Sequence, residues 1–414
     1  MKRIHIVLVL LSVALVLALG TGSSLYYRLF FLTILVLGGS LVWTSLNLRG
    51  VHVSFHRRYG DLRVGQSLET QVTVRNANLL PKFALEVSDL VELPGQSTGA
   101  VINLAPNKNV PLTLRTPLRR RGVYTVGAPT VSSRDPFGIL RLSHRERGTQ
   151  QLVVFPRAVD IPSISTAQGE VIGEGIMQRT DPLASTSVAT IREYQPGESS
   201  RHLHWPSIAR RGKLMLKQFD SGAENQIWVL LDMQAEVHIG DEVENTEEMA
   251  VTIAASVVKS CSEGGWAVGL VAHGEDPYIL PPQTGSLALN RSLLALTQVR
   301  AQGMVPLMNL LSFWQSQMAR PTVHLVVVTP SVNPEWSPLL ESSVRQGVLA
   351  AVVLVDPESF GASASPYPLL QRFLGSAIPA YLVRRGEDIA QALWRPWTAP
   401  VAPLSQGEIA RAQR

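Results

Sequence analysis

The residues best suited to binding chemistry lie in one basic stretch, which runs from Arg192 to Lys217. This stretch contains six lysines and arginines but only two glutamates, a local excess of four positive charges. Because the formal net charge of the whole 414-residue chain is only +5, most of the charge imbalance lies here. A patch of this kind attracts an acidic protein, anionic lipid head groups or nucleic acid.

A structural role is the alternative interpretation of the same stretch. Tyr194 and Trp205 would then pack in a clasp, with the arginines paired to carboxylates or capping carbonyl groups. Nucleic-acid recognition would need aromatic residues interleaved along a longer groove, or a known module, and the sequence has neither. His202 and His204 have no cysteine or carboxylate at metal-ligand spacing. The stretch therefore predicts partner binding or a structural clasp, and no nucleic-acid partner.

Two motifs of the common catalytic classes are absent from the sequence. There is no Walker loop and no His-Glu-x-x-His pair. A hydrolase that uses Asp232 or Glu198 is an alternative, but no spacing singles out an acid–base pair. The sequence predicts no catalytic residue, no cofactor and no enzyme activity.

Two apolar runs at the start of the chain are each long enough to cross a membrane. No Asp, Glu, Lys or Arg occurs between Ile4 and Tyr27, or between Leu29 and Leu48. About 20 apolar residues match a hydrocarbon layer of about 30 Å. A cleaved signal peptide is the alternative, but a second full-length run follows the first at once. We therefore expect a helical hairpin in residues 1–48 that contacts the lipid bilayer through residues 4–48.

The basic residues around these runs predict the orientation of the hairpin. Lys2 and Arg3 precede the first run, whereas the connection contains only Arg28. The positive-inside bias then places both termini in the cytoplasm and the chain in the inner (plasma) membrane. The single cysteine, Cys261, agrees with a reducing compartment and ends an apolar helical pattern, which indicates a buried structural thiol. Four further basic residues follow the second run: Arg49, Arg57, Arg58 and Arg63.

Residues 49–155 predict an all-β, sandwich-like domain. Apolar residues alternate in 51–55, 68–74, 83–87 and 110–114, and turn-forming residues separate these segments. Residues 156–225, which include the basic stretch, lose this regularity and predict a connecting segment.

Residues 226–400 alternate between apolar strands and helical segments. Near-continuous apolar strands with helices between them predict a doubly wound α/β domain with a parallel sheet. Functional residues gather at the carboxyl ends of strands in that architecture, and here those positions are Asp232, Thr329 and Asp356. Residues 401–414 are predicted to form a flexible tail.

The basic stretch also resembles the hallmark of a bacterial family called domain of unknown function 58. Segments 120–124 and 133–138, which contain Arg-Gly-Val-Tyr and Asp-Pro-Phe-Gly, are similar to that family as well. The resemblance implies a von Willebrand factor A-like C-terminal domain. It also implies a MoxR-type AAA+ ATPase and a transglutaminase-like membrane protein as partners. The residues that carry the hallmark, and are our candidate partner-binding residues, are Arg192, Tyr194, Pro196, Gly197, Arg201, Trp205, Arg210, Arg211, Gly212 and Lys213.

The A-type fold often carries a metal-ion-dependent adhesion site, which needs Asp-x-Ser-x-Ser after the first strand. Residues 232–236 read Asp-Met-Gln-Ala-Glu, so the aspartate matches and both serines are missing. Thr329-Pro330-Ser331 stands where a second aspartate would be expected. Hard divalent cations need several oxygen ligands, and we therefore predict no metal site and interpret Asp232 as a degenerate remnant that caps backbone amides.

These observations predict a non-enzymatic, membrane-anchored cytoplasmic scaffold or adaptor. It would work with a MoxR-type ATPase in protein assembly or envelope maintenance. The alternative function is a divalent-metal-dependent ligand receptor or adhesion module built on the A-type domain.

Overall fold

A computed structural model describes the chain in segments and divides it after Phe155 into an N-terminal and a C-terminal unit. The described residues are 2–57, 60–88, 99–145, 148–162, 164–166, 171–172, 188–193, 215–219, 226–241, 244–317 and 323–398.

The N-terminal unit begins with two helices, α1 (Lys2–Thr21) and α2 (Ser24–Leu48). Both are long and apolar enough to cross a membrane. Ser23 caps the N-terminus of the second helix, because its side chain accepts a hydrogen bond from the backbone amide of Leu25. Ala14 and Ala18 of α1 are buried, and small residues at such positions let two apolar helices approach closely. The predicted pair of apolar helices is therefore confirmed, while their larger side chains remain exposed.

The rest of the N-terminal unit is built from strands, as the alternating patterns predict. A three-stranded sheet has the order β1-β2-β5, a four-stranded sheet the order β4-β3-β7-β8, and β6 pairs with β9. Apolar side chains from the first two sheets share one core, which includes Val72, Leu85 and Val131. The strands described in this unit are β1 (Val51–Arg57), β2 (Ser67–Asn76), β3 (Lys82–Ser88), β4 (Ala100–Leu104), β5 (Asn109–Pro117), β6 (Gly122–Gly127), β7 (Thr130–Arg134), β8 (Arg141–Arg145) and β9 (Thr149–Val154).

The last turns of α2 pack against the β3–β7–β8 side of this domain. Ser40, Thr44 and Asn47 are buried on the helix. Asn47 Nδ2 donates to the Phe83 carbonyl and to Ser133 Oγ, each at 2.7 Å, and Asn47 Oδ1 accepts from the Phe83 amide at 3.0 Å. All of residues 4–48 are predicted to contact lipid, whereas the structure shows that these last turns of α2 contact protein.

The end of α2 is joined to β1 by Arg49 and Gly50 alone. Gly50 has φ = +73°, and a Cβ atom there would lie 2.7 Å from the Asn78 side chain. Asn78 Nδ2 donates to the Arg49 carbonyl at 2.6 Å, and the Ala77 amide donates to the Gly50 carbonyl at 2.9 Å. The buried Lys82 ammonium donates to the Leu46 carbonyl, which places a cation at the negative end of the helix dipole.

One basic residue used to predict orientation belongs to the fold of the β-domain. Arg57 is buried, and its guanidinium donates to Thr70 Oγ1 at 3.3 Å and to the Gly127 carbonyl at 2.6 Å. Arg57 is therefore not a charge in an exposed loop, and the predicted orientation of the helical hairpin in the membrane rests on the other basic residues.

The C-terminal unit contains a six-stranded sheet of order β16-β15-β14-β17-β18-β19. Five strands are parallel, and the edge strand β16 is antiparallel, so the sheet is mixed rather than wholly parallel as predicted. The two-stranded pairs β10–β11 and β12–β13 precede it. The strands are β10 (Ile164–Ser165), β11 (Val171–Ile172), β12 (Val188–Glu193), β13 (Met215–Phe219), β14 (Gln226–Leu231), β15 (Ala267–His273), β16 (Pro277–Gln283), β17 (His324–Thr329), β18 (Leu349–Val355) and β19 (Ala380–Val383).

Helices cover both faces of this sheet, which explains why its central strands are apolar throughout. One face packs against the buried side of α3, and α4 packs on α3. The other face forms a core with α5, α6 and α7, centred on Trp314 and Phe373. The helices are α3 (Thr246–Glu263), α4 (Ser286–Gln298), α5 (Leu307–Gln317), α6 (Ser337–Arg345), α7 (Tyr367–Gly375) and α8 (Ile389–Ala392).

Candidate functional site

The family-hallmark residues lie outside the residues whose side chains the structure describes. Arg192 is placed only as a backbone position in β12, opposite Leu216 of β13. The other nine, from Tyr194 to Lys213, lie in a segment for which no structure is described. Their predicted role in partner binding therefore stays a prediction. The 401–414 tail lies outside the described residues in the same way.

The carboxyl edge of the large sheet brings together the residues that the strand pattern selected. Asp232, Thr329 and Asp356 directly follow or end β14, β17 and β18, which are neighbours in the sheet. Thr329 Oγ1 donates to Asp232 Oδ2 at 2.6 Å, although the two residues are 97 positions apart. The parallel strand order is what produces this contact, because it places the ends of successive strands at one edge.

Both carboxylate oxygens of Asp232 accept hydrogen bonds, and the residue is only 1% exposed. The Gln234 amide donates to Oδ1 at 3.1 Å, which is the capping contact expected from the sequence. His238 Nε2 lies 2.9 Å from the Asp232 backbone carbonyl oxygen. Burial raises the pKa of Asp232 above its ordinary value, although the hydrogen bonds from Thr329 and Gln234 and the charge of His238 oppose this change. A carboxylate in this position orders the ends of two strands.

Asp356 ends the next strand as a second capping residue. Its Oδ1 accepts from the Glu358 amide at 3.0 Å, and its Oδ2 lies 3.5 Å from Arg384 Nε. The Ser359 hydroxyl donates to its backbone carbonyl at 2.8 Å. Asp356 thus stabilises the turn after β18 and pairs with the arginine that follows β19.

The residues at this edge do not fit an A-type cation site. Such a site needs several hard oxygen ligands, whereas residues 232–236 match its aspartate with Asp232 and lack both of its serines. Both carboxylate oxygens of Asp232 already accept protein hydrogen bonds. Thr329 Oγ1 in turn accepts from the Ser331 amide at 2.9 Å, so this hydroxyl is engaged as well. No cluster of three or more His, Cys, Asp or Glu suited to a metal occurs in the described part of the chain.

Sequence reasoning did not find a cleft of about 440 Å³ on the C-terminal unit. Arg157, Glu248 and Phe360 line it, together with Arg385 and Asp388. Arg385 pairs with Glu244 at 2.8 Å and with Asp241 at 3.1 Å. No local pattern could have revealed this cleft, because the paired residues are more than 140 positions apart. The Arg385 guanidinium is thus paired with two carboxylates, which is typical of a structural contact.

Cys261 is a buried free thiol on α3, as the sequence predicts. Burial raises its pKa to about 12. The reactive form of cysteine is the thiolate, so this residue is unsuited to nucleophilic chemistry at neutral pH.

Replacement of Asp232 by asparagine is expected to change how the stability of the chain depends on pH. The pKa of Asp232 is higher in the folded than in the unfolded state, so the folded state binds the proton more tightly. The contribution of this group is therefore greatest at acidic pH and is lost as pH rises through the folded-state pKa, by at most about 1.4 kcal/mol per pH unit. Asp232→Asn should remove this loss, which urea unfolding of the full chain in detergent at a series of pH values would measure.

The matched control for this experiment is Glu275→Gln, a substitution at an exposed carboxylate between β15 and β16. It should leave the pH dependence unchanged. An Asp232→Asn protein whose unfolding midpoint followed pH as the wild type does would contradict the raised pKa.

Comparison with protein families finds one match, to a family described as a protein of unknown function, DUF58, over residues 190–360. The chain is 24% identical over 205 residues to the uncharacterized protein YeaD of Bacillus subtilis, which covers 49% of this chain and 48% of that protein. It is 32% identical over 95 residues to an uncharacterized protein of Mycobacterium tuberculosis, covering 23% of this chain and 30% of that protein. The chain thus spans about half the length, or less, of the curated relatives it matches.

Among solved structures, the chain is similar to the CARDB domain of a Pyrococcus furiosus protein, with 16% identity and a TM-score of 0.19, over 25% of this chain and 94% of that one. It is also similar to a FixG-related protein from Vibrio parahaemolyticus, with 15% identity and a TM-score of 0.18, over 26% of this chain and 98% of that one. TM-scores this low establish no shared overall fold.

Proposed function

We propose that this chain is a membrane-anchored scaffold with its folded units in the cytoplasm, working with a MoxR-type AAA+ ATPase. The observation that carries the proposal is the junction between α2 and the β-domain. Buried polar side chains of the helix bond directly to strands of that domain, as Asn47 does to Phe83 and Ser133. An anchor built into a folded domain holds that domain at a fixed place on the membrane, which is what a scaffold requires.

The same junction argues against a removable leader as the role of α2. A signal peptide is cleaved away and needs no contact with the mature fold. Ser40 and Asn47 are instead buried in hydrogen bonds with Asp135 and with Phe83. Cleavage after α1 would leave α2 in place, so the anchoring role does not depend on how α1 is processed.

The cytoplasmic orientation is supported by charge and by cysteine chemistry. Lys2 and Arg3 lie in the first turn of α1, Arg49 follows α2, and only Arg28 lies close to the opposite end of the hairpin. The single thiol, Cys261, is buried and free, which suits a reducing compartment.

A partner-binding role is supported by the chemistry of the described sites. Asp232 and Asp356 are engaged as caps at the carboxyl edge of the sheet, where an α/β enzyme would present its reactive groups. The C-terminal sheet, with helices on both faces, is compatible with an A-type domain, which is a common protein-binding module. The MoxR-type ATPase is proposed from the family resemblance of the 192–213 hallmark.

Recovery of the partner from membranes tests this proposal. Full-length tagged protein is crosslinked in cells, extracted in mild detergent and analysed by mass spectrometry. We expect an AAA+ ATPase of the MoxR type to be enriched several-fold over the Arg210→Ala, Arg211→Ala double variant, because that variant lacks two charges of the basic hallmark. Failure to recover any such ATPase with the wild-type protein would refute the partnership.

The urea-unfolding midpoint of the double variant provides the control. It should match that of the wild type, so that a loss of the partner reports a lost contact and not a lost fold. Equal recovery of the ATPase by both proteins would exclude the arginine pair from the interface.

A further inference from the structure

We infer that the β-domain of the N-terminal unit is seated in the membrane surface, with an apolar rim in contact with lipid. The rim consists of Trp43, Leu79, Leu80, Phe83 and Phe137. This inference rests on the proposed anchoring of α1 and α2 in a bilayer. It adds a second lipid contact, made by loops and strands of the folded domain.

The length of α2 indicates how deep the domain reaches. The helix has 25 residues, which correspond to about 37 Å at 1.5 Å per residue, whereas the hydrocarbon layer is about 30 Å thick. Ser40 lies about 24 Å from the start of the helix at Ser24 and therefore within the span of that layer. Ser40 Oγ donates to Asp135 Oδ2 at 3.0 Å, and both residues are buried. A residue of the β-domain thus reaches the depth of the lipid chains.

The direction of β7 carries the next residues further towards the middle of the bilayer. Ser133 contacts Asn47 of the helix, and two residues later Asp135 contacts Ser40. Strand β7 therefore runs along α2 in the direction that leads away from the C-terminal end of the helix. Phe137 lies two residues after Asp135, at the tip of the turn between β7 and β8, and is 63% exposed.

The turn itself is held rigidly by Asp135. Its Oδ2 accepts from the Phe137 amide at 3.1 Å, and its Oδ1 accepts from the Leu140 amide at 2.6 Å. Gly138 adopts φ = +68°, which favours glycine. Backbone polar groups near lipid must be satisfied within the protein, and this aspartate satisfies two amides of the turn.

A second part of the rim lies where α2 leaves the lipid. Trp43 stacks on Phe83 with ring centroids 6.3 Å apart, and both side chains remain partly exposed. Leu80 and Pro81 border the pair and form with it an apolar groove of about 220 Å³. Tryptophan is enriched at membrane–water interfaces, where one part of the ring is apolar and the other meets water.

A lipid bilayer is the occupant that fits this surface. Leu41 and Val42, exposed on α2 immediately before Trp43, continue the rim into the lipid-facing surface of the helix. The rim and the anchor therefore form one continuous apolar surface. A protein partner would need to reach Phe137 at the depth of Ser40, where the anchor places lipid chains.

Environment-sensitive probes on the full-length protein test the inference. Single cysteines are introduced at Phe137, at Leu35 and at Val101, labelled with the fluorophore NBD, and reconstituted in phosphatidylethanolamine–phosphatidylglycerol vesicles containing nitroxide-labelled lipid. The native Cys261 is buried and is not labelled in the folded protein. Leu35 is 72% exposed in the middle of α2, and Val101 is 70% exposed on β4 opposite Glu86, away from the helix. We expect NBD at Phe137 to be quenched several-fold more strongly than NBD at Val101.

The three positions separate failure of the inference from failure of the anchor. Quenching at Leu35 together with a Phe137 signal equal to that of Val101 would overturn the seated β-domain and leave the anchor intact. A water-exposed Leu35 probe would overturn the anchor and the inference together. Equal, strong quenching at all three positions, Val101 included, would also contradict a rim confined to the end of α2. Should F137C fail to fold, the same comparison is made with L80C.

Discussion

Replacing Asn47 by alanine is expected to lower the free energy of unfolding of the N-terminal unit by about 2–4 kcal/mol. The side chain is buried and forms three hydrogen bonds, two to the backbone of Phe83 and one to Ser133. Alanine would leave the amide and the carbonyl of Phe83 without these partners in a partly buried position, and such groups are costly to leave unsatisfied. Urea unfolding of the full chain in detergent, followed by protease sensitivity of the β-domain, measures the loss.

The adjacent Ser45 provides the matched control. It is exposed on the same helical turn, and Ser45→Ala should change stability by no more than about 0.5 kcal/mol. If Asn47→Ala were as stable as Ser45→Ala, then the helix would not be docked on the β-domain through this residue. The scaffold proposal would then lose its main support.

Trp314→Ala should destabilise the C-terminal unit by about 3–5 kcal/mol. Trp314 is 1% exposed and belongs to the core between the sheet and helices α5, α6 and α7. Removal of the indole leaves a cavity that the surrounding strands, fixed by their sheet partners, cannot fill. A lowered urea midpoint of the full chain, read by protease resistance of the C-terminal unit, would report the loss.

Phe313→Ala separates this effect from a change in helix propensity. Phe313 precedes Trp314 on α5 but is 38% exposed, so its removal should cost far less than that of Trp314. Comparable losses for the two variants would show that α5 does not direct Trp314 into the core.

Much of the architecture could be predicted from sequence patterns, because a strand that is buried on one or both faces has a recognisable spacing of apolar residues. The alternation in 68–74 is that of β2, whose side chains are alternately exposed and buried. The uniformly apolar run at β17 is that of a strand covered on both faces. Asp232 and Asp356 could be selected from the sequence because each directly follows a strand of this kind. These residues were found because topology alone places strand ends together.

The elements that the sequence patterns did not predict lack such a spacing of apolar residues for physical reasons. Strand β7 is buried on both faces, so its sequence does not alternate. Ser133 on one face contacts Asn47 of α2, and Ser132 on the other contacts the Arg141 side chain. The edge strand β16 contains Pro281 and Pro282, which normally argue against a strand and are tolerated at an edge. The basic hallmark at 192–213 was recognised by resemblance, and its side chains lie outside the described structure.

The docked face of α2 could not be predicted because its polar residues have no charge. Ser40, Thr44 and Asn47 fit a membrane span by composition, and small polar residues are common in such helices. Only the three-dimensional contacts with Asp135 and Ser133 distinguish a protein-facing from a lipid-facing turn.

The two-residue link between α2 and β1 has a mechanical consequence. Arg49 and Gly50 are both tied to the loop that carries Asn78, so the link contains no slack that could absorb a pull or a twist. A motor that grips the N-terminal β-domain would therefore act on the membrane helix as on a lever, tilting it within the bilayer instead of stretching a tether. Under the proposed partnership with a cytoplasmic ATPase, ATP-driven work would in this way deform the surrounding lipid or reorient a neighbouring transmembrane protein.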